Sequence, residues 1–309
     1  MIILKMWGGL GNQMFIYALY RSMCHKGIEA KIDMSWFNYY NAHNGYELSN
    51  LFGVKIIEAT EEEVKRYAIV KPGKVNGLLR KTIYRNSQIL LGGHDAITYH
   101  PEVFKMTEKY LAGYWQSENY FIDIKDSIRK EFEFPLDLRL KDNQFFSLVR
   151  ATKENANTVS IHVRRGDYIS DNKSNGFTQL IEKAFGETIS LGNVCDREYY
   201  EKAIKYINNA IERPHYYIFS NDMDWCKENI SISSTDMTFI EVNKGVNSFW
   251  DMYLMSQCRH NIIANSSFSW WGAWLNSNIG KIVVAPDRWF QDGYIGDIIP
   301  TGWVTLPTK

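Results

Sequence analysis

The segment His162-Val163-Arg164-Arg165-Gly166-Asp167-Tyr168 holds the densest chemistry in the chain. It follows the apolar run Thr158-Val159-Ser160-Ile161, which reads as a buried strand emptying into a polar loop. Guanidinium groups are rarely buried unpaired, so two arginines at the end of such a strand are poor core residues. They suit an anion, because the planar fork matches two phosphate oxygens at once. The competing reading is a solvated loop in which Asp167 pairs with one of the arginines. Ser220-Asn221-Asp222 and Asn265-Ser266-Ser267 also fall at strand ends. A helix start with two serines directs N–H groups at the same kind of anion, and Asp222 suits a base edge or a ribose. As a set, these residues describe a nucleotide diphosphate site.

Near the start, Gly8-Gly9-Leu10-Gly11-Asn12-Gln13-Met14 has the look of a dinucleotide fingerprint, with Asp33 placed where a ribose-binding acid is expected. This keeps an NAD(P)-dependent oxidoreductase built on the Gly9-x-Gly11 turn as an alternative. Met14 replaces the third glycine, however, and Asn12 and Gln13 bring two amides to the helix start, suited to a phosphate or sugar hydroxyl. Asp222-Met223-Asp224 has the D-x-D spacing of metal-dependent sugar transferases. Asp224 is more simply a favourable charge at a helix N-terminus, and with no other carboxylate or histidine cluster in support, no metal is expected. In Ser269-Trp270-Trp271-Gly272-Ala273-Trp274, Trp270 and Trp274 share a helix face, which reads as packing against a sheet with Gly272 allowing close approach.

These loops need a frame that brings strand ends together. From residue 158 onward, short apolar strands (Val159–Val163, Tyr216–Phe219, Thr238–Val242, Asn261–Ala264, Lys281–Ala285) alternate with helical patterns (Glu198–Ile211, Trp225–Asn229, Ser248–Cys258, Ser267–Asn276). That alternation predicts a parallel doubly wound sheet, whose strand C-termini share one edge. The first half repeats the pattern less clearly, with strands at Ile2–Met6, Glu29–Asp33 and Tyr110–Tyr114, and helices to about Cys24 and around Tyr120–Phe132. The boundary is placed in the polar stretch Lys141–Asn157, giving domains at 1–150 and 151–309. The long polar segment from Asp167 to Asp196 is expected to be a mobile loop over the site.

Length and composition fit this frame. The 309 residues allow two ordinary domains, and 45% hydrophobic with 15% aromatic content excludes a disordered chain. Acidic and basic residues balance at 35 each, so bulk charge gives no reason to expect nucleic acid. Cys24, Cys195, Cys226 and Cys258 are scattered, as reduced thiols of a cytosolic protein are. No signal-peptide pattern opens the chain, and no apolar run approaches the ~20 residues that span a bilayer. One basic stretch, 65–85, carries Lys65, Arg66, Lys71, Lys74, Arg80, Lys81 and Arg85 with no acid among them. It reads either as a solvated helix face or as a patch for an anionic membrane surface or a phosphate-bearing acceptor.

The Gly8–Met14, His162–Tyr168 and Asn265-Ser266-Ser267-Phe268-Ser269-Trp270-Trp271 segments, with Gly113-Tyr114-Trp115-Gln116-Ser117-Glu118 and Phe219-Ser220-Asn221-Asp222, resemble in order the signatures of α-1,2-fucosyltransferases, glycosyltransferase family 11. Without a membrane anchor, the chain looks like a bacterial member, cytoplasmic or at the inner face of the membrane. The resemblance implies a GT-B-type α/β fold: two Rossmann-like domains with a cleft between them, the acceptor on the N-terminal side and the donor on the C-terminal side. It implies metal-independent, inverting transfer of L-fucose from GDP-β-L-fucose to the 2-hydroxyl of a terminal galactose on a glycan acceptor, without a cofactor. A non-catalytic glycan-binding protein is a further alternative.

Carried over residue by residue, Arg164 matches the arginine that holds the β-phosphate and His162 the histidine beside the nucleotide. Ser266 and Ser267 match a phosphate-binding helix start, with Asn265 and Phe268 beside them. Asp222 or Asn221 matches the acid that reads guanine, and Asn12, flanked by Gly11 and Gln13, approaches the donor from the N-terminal domain. Arg165 either assists Arg164 or holds Asp167. The general base is open among Asp33, Glu47 and Glu118.

Overall fold

A computed structural model describes residues 1–39, 44–68, 88–136, 143–154, 157–165, 191–192, 194–233 and 236–308. Gly166, Asp167, Tyr168, nearly all of the expected mobile loop, and the basic stretch from Lys71 to Arg85 lie outside the described residues. Of that stretch, Lys65 and Arg66 are described, and Lys65 pairs with Glu61 at 3.0 Å. The chain divides into two compact units. One holds Met1–Phe134 and Gly296–Ile298, and the other takes the remaining described residues from Pro135 onward. No helix among the described residues is long and apolar enough to cross a membrane.

In the first unit, β1 (Ile2–Lys5), β2 (Ala30–Asp33), β3 (Gln88–Leu90) and β4 (Lys109–Ala112) form a four-stranded sheet in the order β2-β1-β4-β3, with every pairing parallel. Ile2, Ile3 and Leu4 are all buried, as a central strand covered on both faces requires. Gly8, at φ +78°, turns the chain from β1 into α1 (Leu10–His25) in a conformation a side chain would resist. α1 is buried around nearly its whole circumference, with Phe15 against Phe121 and both Tyr17 and Arg21 hydrogen-bonded to the Glu131 carboxylate. Among the described residues the unit also has the short α-helices α2 (Leu48–Phe52), α3 (Glu61–Lys65) and α4 (Lys125–Glu131), beside several 3-10 turns.

The second unit is a six-stranded parallel sheet of β5 (Thr158–Val163), β6 (His215–Ser220), β7 (Met237–Phe239), β8 (His260–Ile262), β9 (Val283–Pro286) and β10 (Val304–Leu306), in the order β10-β9-β8-β5-β6-β7. Its helices are α5 (Asn143–Glu154), α6 (Arg197–Ala210), α7 (Met223–Asn229), α8 (Phe249–Gln257) and α9 (Ser267–Leu275). α6 buries Tyr199, Tyr200, Ala203, Ile204 and Ile207 against Val159, Ile161 and Val163 of β5. Trp270, Trp271 and Trp274 of α9 are buried in mutual contact, so the tryptophan run is core. Two Rossmann-like parallel units in one chain are the GT-B-type class expected.

The structure corrects the polar stretch read as a boundary. Residues 143–154 form α5, with Val149 and Thr152 buried and the Thr152 carbonyl accepting from the Thr158 hydroxyl at 2.9 Å. The amphipathic period was diluted there by polar residues. β3 and β10, three residues each, were too short to leave a pattern.

Candidate active site

In each sheet the strand order reverses beside the strand that opens the unit, and in open parallel sheets ligands bind at the carboxyl ends flanking that reversal. In the second unit the reversal lies between β5 and β8. The chain leaves β5 at Val163 into Arg164 and Arg165, and leaves β8 into Asn265, Ser266 and α9. Tyr200 donates to the His162 carbonyl at 3.0 Å and Tyr199 to the Ile263 carbonyl at 2.7 Å, so two adjacent tyrosines of α6 fix both strand ends. Sequence reasoning missed both as site supports, since Tyr200 reads simply as one apolar position in a helical period.

Side chains alternate along β5, and the alternation sorts the site. Val159, Ile161 and Val163 enter the core under α6, while His162 faces α9, its ring 5.7 Å from Phe268. His162 is buried, and its Nδ1 has no hydrogen-bond partner among the described residues. Burial, and then the Arg164 charge, push its pKa down to about 3, so the imidazole is neutral at physiological pH. Ser266 precedes α9 in extended conformation, and its side chain makes no capping bond to the first turn. The N–H groups of that turn are thus offered to an anion. His162, Ser266, Ser267 and Phe268 are therefore brought together, with Arg164 near enough for its charge to act on His162.

The other arginine goes elsewhere. Arg165 lies over the Trp225 ring at 4.2 Å, with Nε 3.6 Å from Asp222 Oδ2, and its backbone N–H donates to Asn221 Oδ1 at 2.9 Å. Asp222 Oδ1 caps α7 by accepting from the Trp225 N–H at 3.2 Å. Both oxygens of the expected guanine reader thus serve α7 and Arg165, and Asn221 braces the loop. Trp225, read as an ordinary helical residue, is the platform for Arg165. Asn265 needs the same correction: it is buried and its Nδ2 donates to the Leu191 and Trp289 carbonyls, so it ties loops together.

In the first unit the reversal lies between β1 and β4, which brings the Gly8–Asn12 turn beside Gly113–Gln116. Trp7 Nε1 donates to the Gly113 carbonyl at 3.1 Å and the Trp7 ring stacks on Tyr114. Gln116 Nε2 donates to Asn12 Oδ1 at 2.7 Å. Nothing in the sequence around Gln116 gives it a role, and only the β1–β4 pairing reveals its partner. Gly11 sits in the first turn of α1. Gln13, expected to touch the donor, is fully buried: it donates to the Gly8 and Gly45 carbonyls and accepts from the Glu47 N–H, stapling a loop to the turn.

Of the carboxylates, Asp33 is buried and accepts from the Ser35 N–H, the Ser35 hydroxyl and the Tyr110 hydroxyl, the last at 2.6 Å. It ties β2 to β4 and is not placed to serve as a base. Glu47 is half-buried, and desolvation raises its pKa against the opposing effect of an Asn44 hydrogen bond. Glu118 opens a single 3-10 turn and is felt electrostatically by Arg129.

The sequence that builds these two units matches the model for glycosyl transferase family 11 over residues 2–307. The chain belongs to glycosyltransferase family 11. This family 11 glycosyltransferase is 30% identical to an Escherichia coli alpha-1,2-colitosyltransferase over 99% of this chain and 98% of the relative. It is 31% identical to the E. coli O-antigen biosynthesis glycosyltransferase WbnK over 97% and 98%. With human galactoside alpha-(1,2)-fucosyltransferase 1 it shares 31% identity over 53% of this chain and 42% of the human one. Among solved structures, a mutant of Arabidopsis thaliana FUT1 with GDP aligns at TM-score 0.43 and 14% identity, covering 91% of this chain and 69% of that one. Family membership sets aside the oxidoreductase reading of the Gly9-x-Gly11 turn and the alternative of a non-catalytic glycan-binding protein.

Proposed function

We propose that this glycosyltransferase moves L-fucose from GDP-β-L-fucose to the 2-hydroxyl of a terminal galactose, with inversion and without a metal ion. The donor binds the second unit and the acceptor the first. The observation that carries this reading is the pairing of the His162–Arg164 face with the uncapped start of α9 in a family 11 chain. As the anomeric carbon–oxygen bond to GDP breaks, negative charge grows on the β-phosphate. Arg164 and the N–H groups of Ser267 and Phe268 offset that charge at fixed positions. Neutral His162 contributes a ring N–H to the nucleotide without adding a second charge. The acceptor 2-hydroxyl attacks from the opposite face and loses its proton, for which Glu47 and Glu118 are the first-unit candidates.

A second reading keeps the site and changes the sugar. The relative named as an alpha-1,2-colitosyltransferase matches the whole chain, and colitose is the 3-deoxy counterpart of fucose. The test is a matrix of GDP-fucose and GDP-colitose against galactose-terminated acceptors, with product linkage read by NMR and parallel reactions in EDTA. Expected is an α-1,2-linked fucoside formed equally well with chelator. Preference for GDP-colitose would assign the second donor, a different linkage would overturn the acceptor position, and loss of activity in EDTA would overturn the metal-free mechanism.

A further inference from the structure

The reversal in the first unit carries a device that the proposed reaction does not yet use. Asn12 sits in the opening turn of α1, and Gln116 meets it from the loop after β4. That loop is held in an unfavourable shape. Trp115 has φ 54°, in the left-handed region that bulky residues avoid, yet it is fully buried with its ring edge-on to Tyr120. The turn sends the Gln116 N–H to the Ala96 carbonyl at 2.9 Å and its side chain, itself 8% exposed, to Asn12. On the other side, a Cβ at Gly8 would stand 2.9 Å from Asn12 Nδ2 and 3.3 Å from the Tyr114 ring. The Asn12 NH2 group therefore occupies a slot between a glycine and an aromatic edge, and it has no partner among the described residues.

An amide has one acceptor end and one donor end, and whichever end a neighbour occupies decides what the other presents. We infer that Gln116 is a positioning residue: by donating to Asn12 Oδ1, it fixes the Asn12 NH2 group as the donor offered to an oxygen of a bound sugar. This rests on the proposed transfer reaction. A neutral donor beside the Trp7–Tyr114 stack suits a sugar, whose C–H faces lie on aromatic rings and whose oxygens accept hydrogen bonds. A neutral amide is too weak a base to take the proton of the acceptor hydroxyl. Its contribution is orientation.

Gln116→Glu is the sharpest test, because a carboxylate can only accept and would draw the Asn12 NH2 group inward, turning Oδ1 toward the sugar. The expected result is a roughly 10- to 100-fold fall in kcat/KM with the melting temperature retained, since a donor is replaced by a mismatched acceptor. Gln116→Ala should cost about tenfold in the native background and less than about twofold in an Asn12→Ala background, because its effect runs through Asn12. Equal losses in both backgrounds, or full activity of Gln116→Glu, would overturn the assignment. Independently of turnover, the Gln116 side-chain amide signal should shift in the NMR spectrum when Asn12 becomes alanine, and an unmoved signal would refute the contact. A native protein inactive with every GDP-deoxysugar and galactoside would refute the transfer reading and leave the amide signal to decide on Gln116.

Discussion

Replacing Arg165 by methionine keeps the length of the side chain and removes its charge. Two interactions go with that charge: the guanidinium over Trp225 at 4.2 Å and the 3.6 Å approach to Asp222. The first is worth ~0.5–2 kcal/mol. The second, between side chains 18% and 32% exposed, is worth ~0–1 kcal/mol. The sum is about 0.5–3 kcal/mol, or roughly 1–12 °C in melting temperature for a unit of this size. Arg164→Met should act on turnover, lowering kcat by ~10²–10³. Asp222→Asn completes the set. Asparagine caps a helix as well as aspartate, so α7 stays closed and only the Arg165 pairing is lost. The assay is thermal unfolding beside calorimetric GDP binding for all three variants. An Arg165→Met protein with unchanged melting temperature and GDP affinity lost as completely as in Arg164→Met would refute the division of labour. An Asp222→Asn protein that no longer prefers GDP over ADP would return Asp222 to the base.

Acid should destabilise the second unit through two buried histidines. Burial first, and then Arg164 and Arg259 respectively, lower His162 to about 3 and His260 to about 4, and His260 Nδ1 accepts from the Ile282 N–H. The unfolded chain takes up protons near pH 6.5 that the native state refuses. The stability these groups contribute is therefore complete above that pH and declines as pH falls toward 4, by about 1.4 kcal/mol per pH unit for each histidine. Urea unfolding between pH 7 and 5 measures the slope, and a His162 ring signal titrating near 6.5 in the native protein would contradict it. Gly272→Ala should cost ~1–3 kcal/mol, because the added Cβ would stand 3.0 Å from Met255 Cβ where α9 crosses α8. Unfolding curves that superpose on the native protein's would show that the two helices can part without cost.

Apolar period alone located most of the second unit, because its strands and helices are long enough to show alternation and helical spacing. It failed where the signal was short or diluted, at β3, β10 and α5. Side-chain type did less well within the site. Asp33, Gln13, Asn265 and Asp222 have the chemistry of ligand-binding groups, and the structure gives each a protein partner: a tyrosine hydroxyl, backbone carbonyls, a helix N–H. A carboxylate that caps a helix and one that accepts from a ribose are the same residue in a sequence. Only the position of the donor separates them.

The His162–Arg165 loop shows how the fold resolves what residue type leaves open. Two adjacent arginines look interchangeable in a sequence, but their surroundings beyond the end of β5 differ. Trp225 and Asp222 hold Arg165, while the charge of Arg164 is felt at His162, whose ring faces α9. The fold also decides at Asn12 and Gln116, which lie 104 residues apart and meet because β4 crosses over to pair with β1. No local pattern encodes that meeting. A parallel sheet with a reversal places the loops after its two central strands side by side, whatever their distance along the chain. In both units, then, the residues that matter are found by asking which strand ends flank the reversal.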